Sequence, residues 1–168
     1  MSAGGAAGDQ ARVSVVVAVA PEEAFRVFTE EIDAWWRRGA RYRVSGKNRG
    51  VLRIEPGIGG RVFESIESAS GTRVFESGTV TAWEPPTRLA FTWRAVNFAP
   101  DELTEVEVRF EPASRGTLVN VTHRGWSQIR PDHPARHGLA VAAFLRTIGL
   151  WWGDLMSSLR EYASDERA

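Results

Sequence analysis

The chain has 168 residues, with 21 basic and 21 acidic side chains and no cysteine. A balanced charge supplies no long-range field, so neither nucleic acid nor an anionic membrane surface is an expected partner. Without cysteine there are no disulfides, thiolate nucleophiles or thiolate metal ligands, which points to a reducing compartment, the cytoplasm.

The opening MSAGGAAGDQA, residues 1–11, has no basic region followed by an apolar run, and reads as a disordered tail ahead of one domain spanning 12–164. RVSVVVAVA, from Arg12 to Ala20, is rich in β-branched residues and stops at Pro21, which predicts a first strand. Pro21 suits the first turn of a helix, with Glu22 and Glu23 near its positive end. Phe25, Phe28, Ile32, Trp35 and Trp36 then recur at helical spacing, with a break expected near Glu30. The basic run Arg37, Arg38, Arg41 and Arg43 follows, as either a solvated loop or a patch that steers an anionic ligand. Lys47, the single lysine, falls in the loop-like SGKNRG.

From Val51 to Val121 six short alternating runs are separated by Gly, Pro and Ser, which predicts an antiparallel meander. Within it RVFES occurs twice, at Arg61–Ser65 and Arg73–Ser77, with Ser68 to Gly71 between the copies. Two copies twelve residues apart make a hairpin, not a repeat architecture. If Phe63 faces Phe75, then Glu64 and Glu76 share one face, whereas a slip of one residue separates them. After Pro134 the period becomes helical again, and Leu145, Ile148, Trp152, Leu155, Leu159 and Tyr162 mark a long amphipathic helix. Its longest apolar stretch, Leu139 to Trp152, is too short to span a bilayer.

The segments VFTEEIDAWW, GIGGRVFE, GTVTAWEPPTRLAFTW, VTHRGW and WWGDLMSSLREYA resemble the branch of the START-like, or SRPBCC, superfamily related to activators of heat-shock-protein ATPase. The match runs from about Arg12 to Ala163, and AWEPPTRLAFTW is its most specific part. The resemblance implies an α+β helix-grip fold: a curved antiparallel sheet of about seven strands wrapped around the C-terminal helix, with a cavity between them. It further implies a bacterial protein without cofactor that binds a small hydrophobic or amphipathic ligand. Members with catalytic activity make a cyclase, dehydratase or hydrolase the alternative, and the family name makes a chaperone-associated role another. Chaperone contact is not expected, because such activators carry an additional N-terminal domain. Edge strands and surplus aromatics admit a homodimer.

Given such a cavity, Trp35, Phe63, Phe75, Phe91, Trp93, Ile148 and Trp152 are the expected ligand-lining residues, since large apolar side chains supply contact area. Core packing is the plainer reading for most of the seven tryptophans. In the pairs Trp35–Trp36 and Trp151–Trp152 one member is expected at an edge, a cavity mouth or a dimer contact, because helical neighbours point apart. Gly149 and Gly153 thin one line of the long helix, either for close approach of the sheet or for a ligand. Glu64, Glu76 and His123 are the catalytic candidates: if both carboxylates face one low-dielectric space, repulsion and desolvation raise the pKa of at least one, and an inward histidine serves as base or donor. Structural ion pairs for the glutamates and a satisfied strand-end histidine are the competing readings. His133 and His137 lie four apart, but with no His-Glu-x-x-His pattern no metal centre is expected.

Overall fold

The computed structural model describes residues 10–39, 42–43, 50–94, 103–126 and 141–167, with side chains at 141–144 and 165–167 left aside. His133, His137, Arg41 and Lys47 lie outside the described residues. The element order is β1 (Gln10–Val17), α1 (Pro21–Glu30), α2 (Ile32–Trp35), β2 (Gly50–Ile54), β3 (Arg61–Ser68), β4 (Gly71–Glu84), β5 (Arg88–Trp93), β6 (Thr104–Ala113), β7 (Gly116–Arg124) and α3 (Val141–Arg167). The seven strands form one antiparallel sheet in the order β1-β7-β6-β5-β4-β3-β2, curled as a half-barrel, and α3 packs along β1. This is the helix-grip α+β architecture. β1 begins at Gln10, two residues before the expected Arg12.

The expected helix break is at Glu31, whose φ of −112° and ψ of 26° leave the helical region between α1 and α2. Among the described residues no helix is long and apolar enough to cross a membrane.

Alternation sorts the sheet into two faces. Val15, Val17, Leu89, Phe91, Val106, Val108, Phe110, Val119 and Val121 are buried in one continuous core on the inner face. The outer face of β5–β7 carries an ion-pair network in which Glu107 accepts from Arg88 at 2.6 Å and from Arg109 and Arg124 at 3.1 Å. Burial pushes the Glu107 carboxyl up, but hydrogen bonds from Arg88 and Arg124 and the charge of Arg109 hold it below the usual range.

Of the two registers, β3–β4 adopts the one slipped by a residue from Phe63 opposite Phe75. The two-residue turn Ala69–Ser70 pairs Ser68 with Gly71, which places Glu64 opposite Phe75 and Phe63 opposite Glu76. An irregularity at Val62/Phe63 then shifts the ladder by one, pairing Val62 with Gly78. Gly78 is required here, because a Cβ on it would lie 1.7 Å from the Thr92 carbonyl oxygen.

The free edge of β2 is closed by side chains. Asp33 Oδ1 accepts from the Leu52 amide at 2.9 Å, and Arg38 donates to the Gly50 carbonyl at 2.9 Å. These bonds use backbone groups that would otherwise template pairing with another chain. Arg43 completes the cap. Its side chain is fully buried, and its five N–H donors reach the Arg37, Gly50, Asp33 and Trp36 carbonyls and the Asp33 carboxylate. Arg43 therefore belongs neither to a solvated loop nor to a ligand-steering patch. A guanidinium can enter a dry site only when all its donors are matched, as they are here.

Candidate functional site

Register decides the fate of the paired glutamates. Glu64 shares a face with its β2 partner Leu52, a core residue, and is 2% exposed, whereas Glu76 is exposed on the opposite face beside Phe63. The two carboxyls do not form a pair in one low-dielectric space, because the two-residue turn moves the ladder one step from the register that aligns the two RVFES copies. Phe63 goes with Glu76. It is buried on the outer face under the Arg61 guanidinium, which stacks 4.5 Å from the ring centroid.

His123 faces inward, as its alternation with Val119 and Val121 predicts. Both ring nitrogens are engaged: the Trp152 indole donates to Nδ1 at 3.0 Å, and Nε2 lies 2.7 Å from Thr104 Oγ1. Burial and the neighbouring Arg124 charge push its pKa down to about 3, so the ring is neutral at ordinary pH. After it, Gly125 takes a φ of 101°, and this turn brings the Trp126 ring to 4.8 Å from the imidazole.

The aromatic residues form a connected series. Phe25 contacts Trp83 at 5.1 Å and Phe110 at 5.2 Å, and Phe28 contacts Phe110 at 5.8 Å and Trp35 at 4.9 Å. Trp36 continues it, 5.4 Å from Trp35, 5.7 Å from Trp93 and 5.4 Å edge-on to Trp152. Trp35 and Trp36 are both buried, at 1% and 5% exposure, against the expectation that one would sit at an edge. The helix ends at Trp35, and Trp36 has an extended ψ of 126°, so the helical rule does not govern their directions. Their indole N–H groups donate to the Val27 and Tyr42 carbonyls. In α3 Trp152 is buried and Trp151 half-buried, as helical geometry requires.

Of the expected ligand-lining residues, Phe91 is 0%, Trp35 1%, Ile148 4% and Trp152 5% exposed, and these pack as core. Phe75 and Trp93 are half-buried on the inner face, with Ile66 beside them in β3. The helices approach β1, β2, β6 and β7 most closely, which leaves β3 to β5 as the part of the inner face farthest from helical backbone. Among the described residues nothing lies within 4 Å of a Cβ placed on Gly149 or Gly153, so the sheet does not press against that line of α3. Phe75, Ile66 and Trp93 are thus half-exposed apolar residues of this face, Glu64 is buried opposite Phe75, and Trp36 is in ring contact with both Trp93 and Trp152. Among the described residues no three His, Asp or Glu side chains converge to hold a metal ion.

A family model, described as activator of Hsp90 ATPase homolog 1-like protein, matches residues 18–146, more than half of the chain. The chain belongs to this family. With it comes the SRPBCC superfamily that the sequence segments resemble. Among solved structures, protein MLL2253 from Mesorhizobium loti is similar over 95% of this chain and 98% of its own, at 20% identity and a TM-score of 0.61. Protein NE0264 from Nitrosomonas europaea matches over 96% and 97% of the two chains, at 18% identity and a TM-score of 0.63. SA2116 from Staphylococcus aureus covers 94% of each at 12% identity, with a TM-score of 0.66. At such identities these likenesses establish the fold alone. Comparison with curated proteins finds no match.

The full burial of Trp36 and the Thr104–Trp152 bridging of His123 were not read from sequence. The signal for Trp36 was its adjacency to Trp35 at a helix end; for Thr104 no local signal exists, since its role comes from strand pairing.

Proposed function

We propose that this protein binds a small apolar or amphipathic molecule between the inner face of β3–β5 and the helices. One observation carries the reading. Ile66, Phe75 and Trp93 retain exposed surface on a face where Phe91, Val106, Val108 and Val119 retain none, and Glu64 is buried beside them. An apolar lining with one placed polar group is the usual composition of a small-molecule site. The half-exposed rings supply contact area, and the Glu64 carboxyl orients a polar group of the ligand. Family membership supports the same class of function, since its superfamily includes binders of hydrophobic ligands and cyclases.

An acid–base enzyme is the less supported reading. Glu76 faces away from the site, and both His123 nitrogens are engaged within the protein, so the three candidates do not assemble an acid and a base in one place. Single-carboxyl chemistry remains distinguishable by turnover that Glu64→Gln abolishes while binding persists. A chaperone-contact role rests on the family description alone.

The test is native mass spectrometry of gently purified protein, followed by titration of the emptied protein with the apolar probe 1-anilinonaphthalene-8-sulfonate. A retained small molecule, or saturable probe binding displaced by it, supports the reading. An empty protein that does not bind the probe overturns it.

A further inference from the structure

The direction of every hydrogen bond around His123 is fixed by its two ends. The Trp152 indole can only donate, so the imidazole Nδ1 it reaches at 3.0 Å is an acceptor without a proton. A neutral imidazole then carries its proton on Nε2, which donates to Thr104 Oγ1 at 2.7 Å. The Thr104 hydroxyl is left to donate onward to the Trp93 carbonyl at 2.9 Å, a group that can only accept. The chain of donors runs one way, from α3 through β7 and β6 to the end of β5. Neither end permits its reversal.

We propose that His123 is a positioning residue that holds the Trp152 indole in one orientation, and so sets the back wall of the site formed by Trp152, Trp36 and Trp93. The ligand part of this inference rests on the binding function proposed above; the positioning part does not. Trp152 stands edge-on to Trp36 at 5.4 Å with an interplanar angle of 89°, and Trp36 leans on Trp93 at 5.7 Å and 35°. A turn of the Trp152 ring would free Trp36 to move and widen the space behind Trp93. An apolar residue of similar volume at position 123 would fill the same room but supply no acceptor.

The charges around the ring agree with a permanently neutral clamp. From its own strand Arg124 lies next to it, held by Glu105 at 2.8 Å and Glu107 at 3.1 Å on the outer face. The neighbouring strands bring Ala11 and Val106 opposite it, and α3 brings Trp152. A proton on Nδ1 would point at the indole N–H, two donors facing each other in a site 4% exposed.

The experiment is nitrogen-15 NMR of the full chain, read at the imidazole nitrogens and the Trp152 indole, in wild type, His123→Leu and His123→Gln. The expected wild-type spectrum has protonated Nε2 and bare Nδ1 unchanged from pH 8 to pH 5. In His123→Leu the solvent protection of the Trp152 indole proton falls by about tenfold, as loss of one hydrogen bond predicts, and His123→Gln recovers part of it. Trp152→Phe serves if the leucine variant does not fold: the Thr104 end still keeps the proton on Nε2, while the Nδ1 resonance moves because its indole donor is gone. Unchanged indole protection in His123→Leu, a proton on Nδ1 in wild type, or an Nδ1 resonance unmoved in Trp152→Phe would overturn the assignment. Probe titration separates the two levels: His123→Leu is expected to bind 1-anilinonaphthalene-8-sulfonate several-fold more tightly than wild type. Equal binding with lost indole protection refutes the wall role, whereas no probe binding by any variant refutes the binding reading and leaves the NMR to judge the clamp.

Discussion

Two parts of the same inner face behave differently. Under β5 to β7, Leu89, Phe91, Val106, Val108 and Val119 have no exposed surface, and the buried polar side chains His123, Thr104 and Thr117 all have protein partners. Under β3 and β4, Ile66 and Phe75 point the same way from strands of the same pattern, yet remain half-exposed. Alternation alone makes both sets inward. What separates them is the third dimension: the helices sit closest to β1, β2, β6 and β7, so the β3–β4 hairpin reaches past the packed core.

The largest expected effect comes from acid, acting on the closed part. His123 has a folded-state pKa of about 3 against an ordinary value near 6.5, so the unfolded chain binds the proton first. Its contribution is fully present above pH 6.5 and is lost as pH falls from there toward 3, by at most roughly 5 kcal/mol at 1.4 kcal/mol per unit. Urea denaturation from pH 7.5 to 4.5 should show this slope, and His123→Gln should flatten it. Next comes truncation. Phe91→Ala should cost about 3–5 kcal/mol by the same measurement, because it opens a cavity in packed core, while Phe75→Ala should cost less than half as much. Equal losses would erase the distinction between the two regions.

The third test concerns the β2 edge, where Arg43 is as deeply buried as His123. Asp33→Ala leaves the Arg43 guanidinium buried without its carboxylate and the Leu52 amide without an acceptor. A loss of about 3 kcal/mol is expected, at the lower end for buried pairs because Asp33 is 32% exposed. Size-exclusion chromatography should also show self-association through the uncovered edge. The smallest effect belongs to Glu76→Gln on the exposed outer face, within about 0.5 kcal/mol of wild type.

Much of this was legible in the sequence and some was not, for physical reasons. Six alternating runs with turn residues between them gave the meander, and a three-four apolar step from Leu145 to Tyr162 gave α3, because both signals are local. The inward direction of His123 followed from its place two residues after Val121. Its partner Trp152 lies 29 residues away and became a neighbour only through folding. The hairpin register stayed open between ring opposite ring and a slip of one residue, because the repeated RVFES suggests the first whereas the length of the turn fixes which residues pair. Arg43 looked like one of several loop arginines, since nothing in its flanking residues announces Asp33 and the Gly50 carbonyl as partners. Exposure of Phe75 relative to Phe91 was also beyond local pattern, being set by where the helices lie.

The measurement that tests the account most directly is titration of wild type, Glu64→Gln and Glu76→Gln with 1-anilinonaphthalene-8-sulfonate, with folding of each variant checked by circular dichroism. The two glutamates occupy matching positions in the repeated RVFES but opposite faces of one hairpin. If the half-open inner face is the binding site, Glu64→Gln shifts the probe Kd by about fivefold or more, the scale of one buried polar contact, and Glu76→Gln leaves it unchanged. Equal shifts in both variants, or a shift in Glu76→Gln alone, would contradict the account.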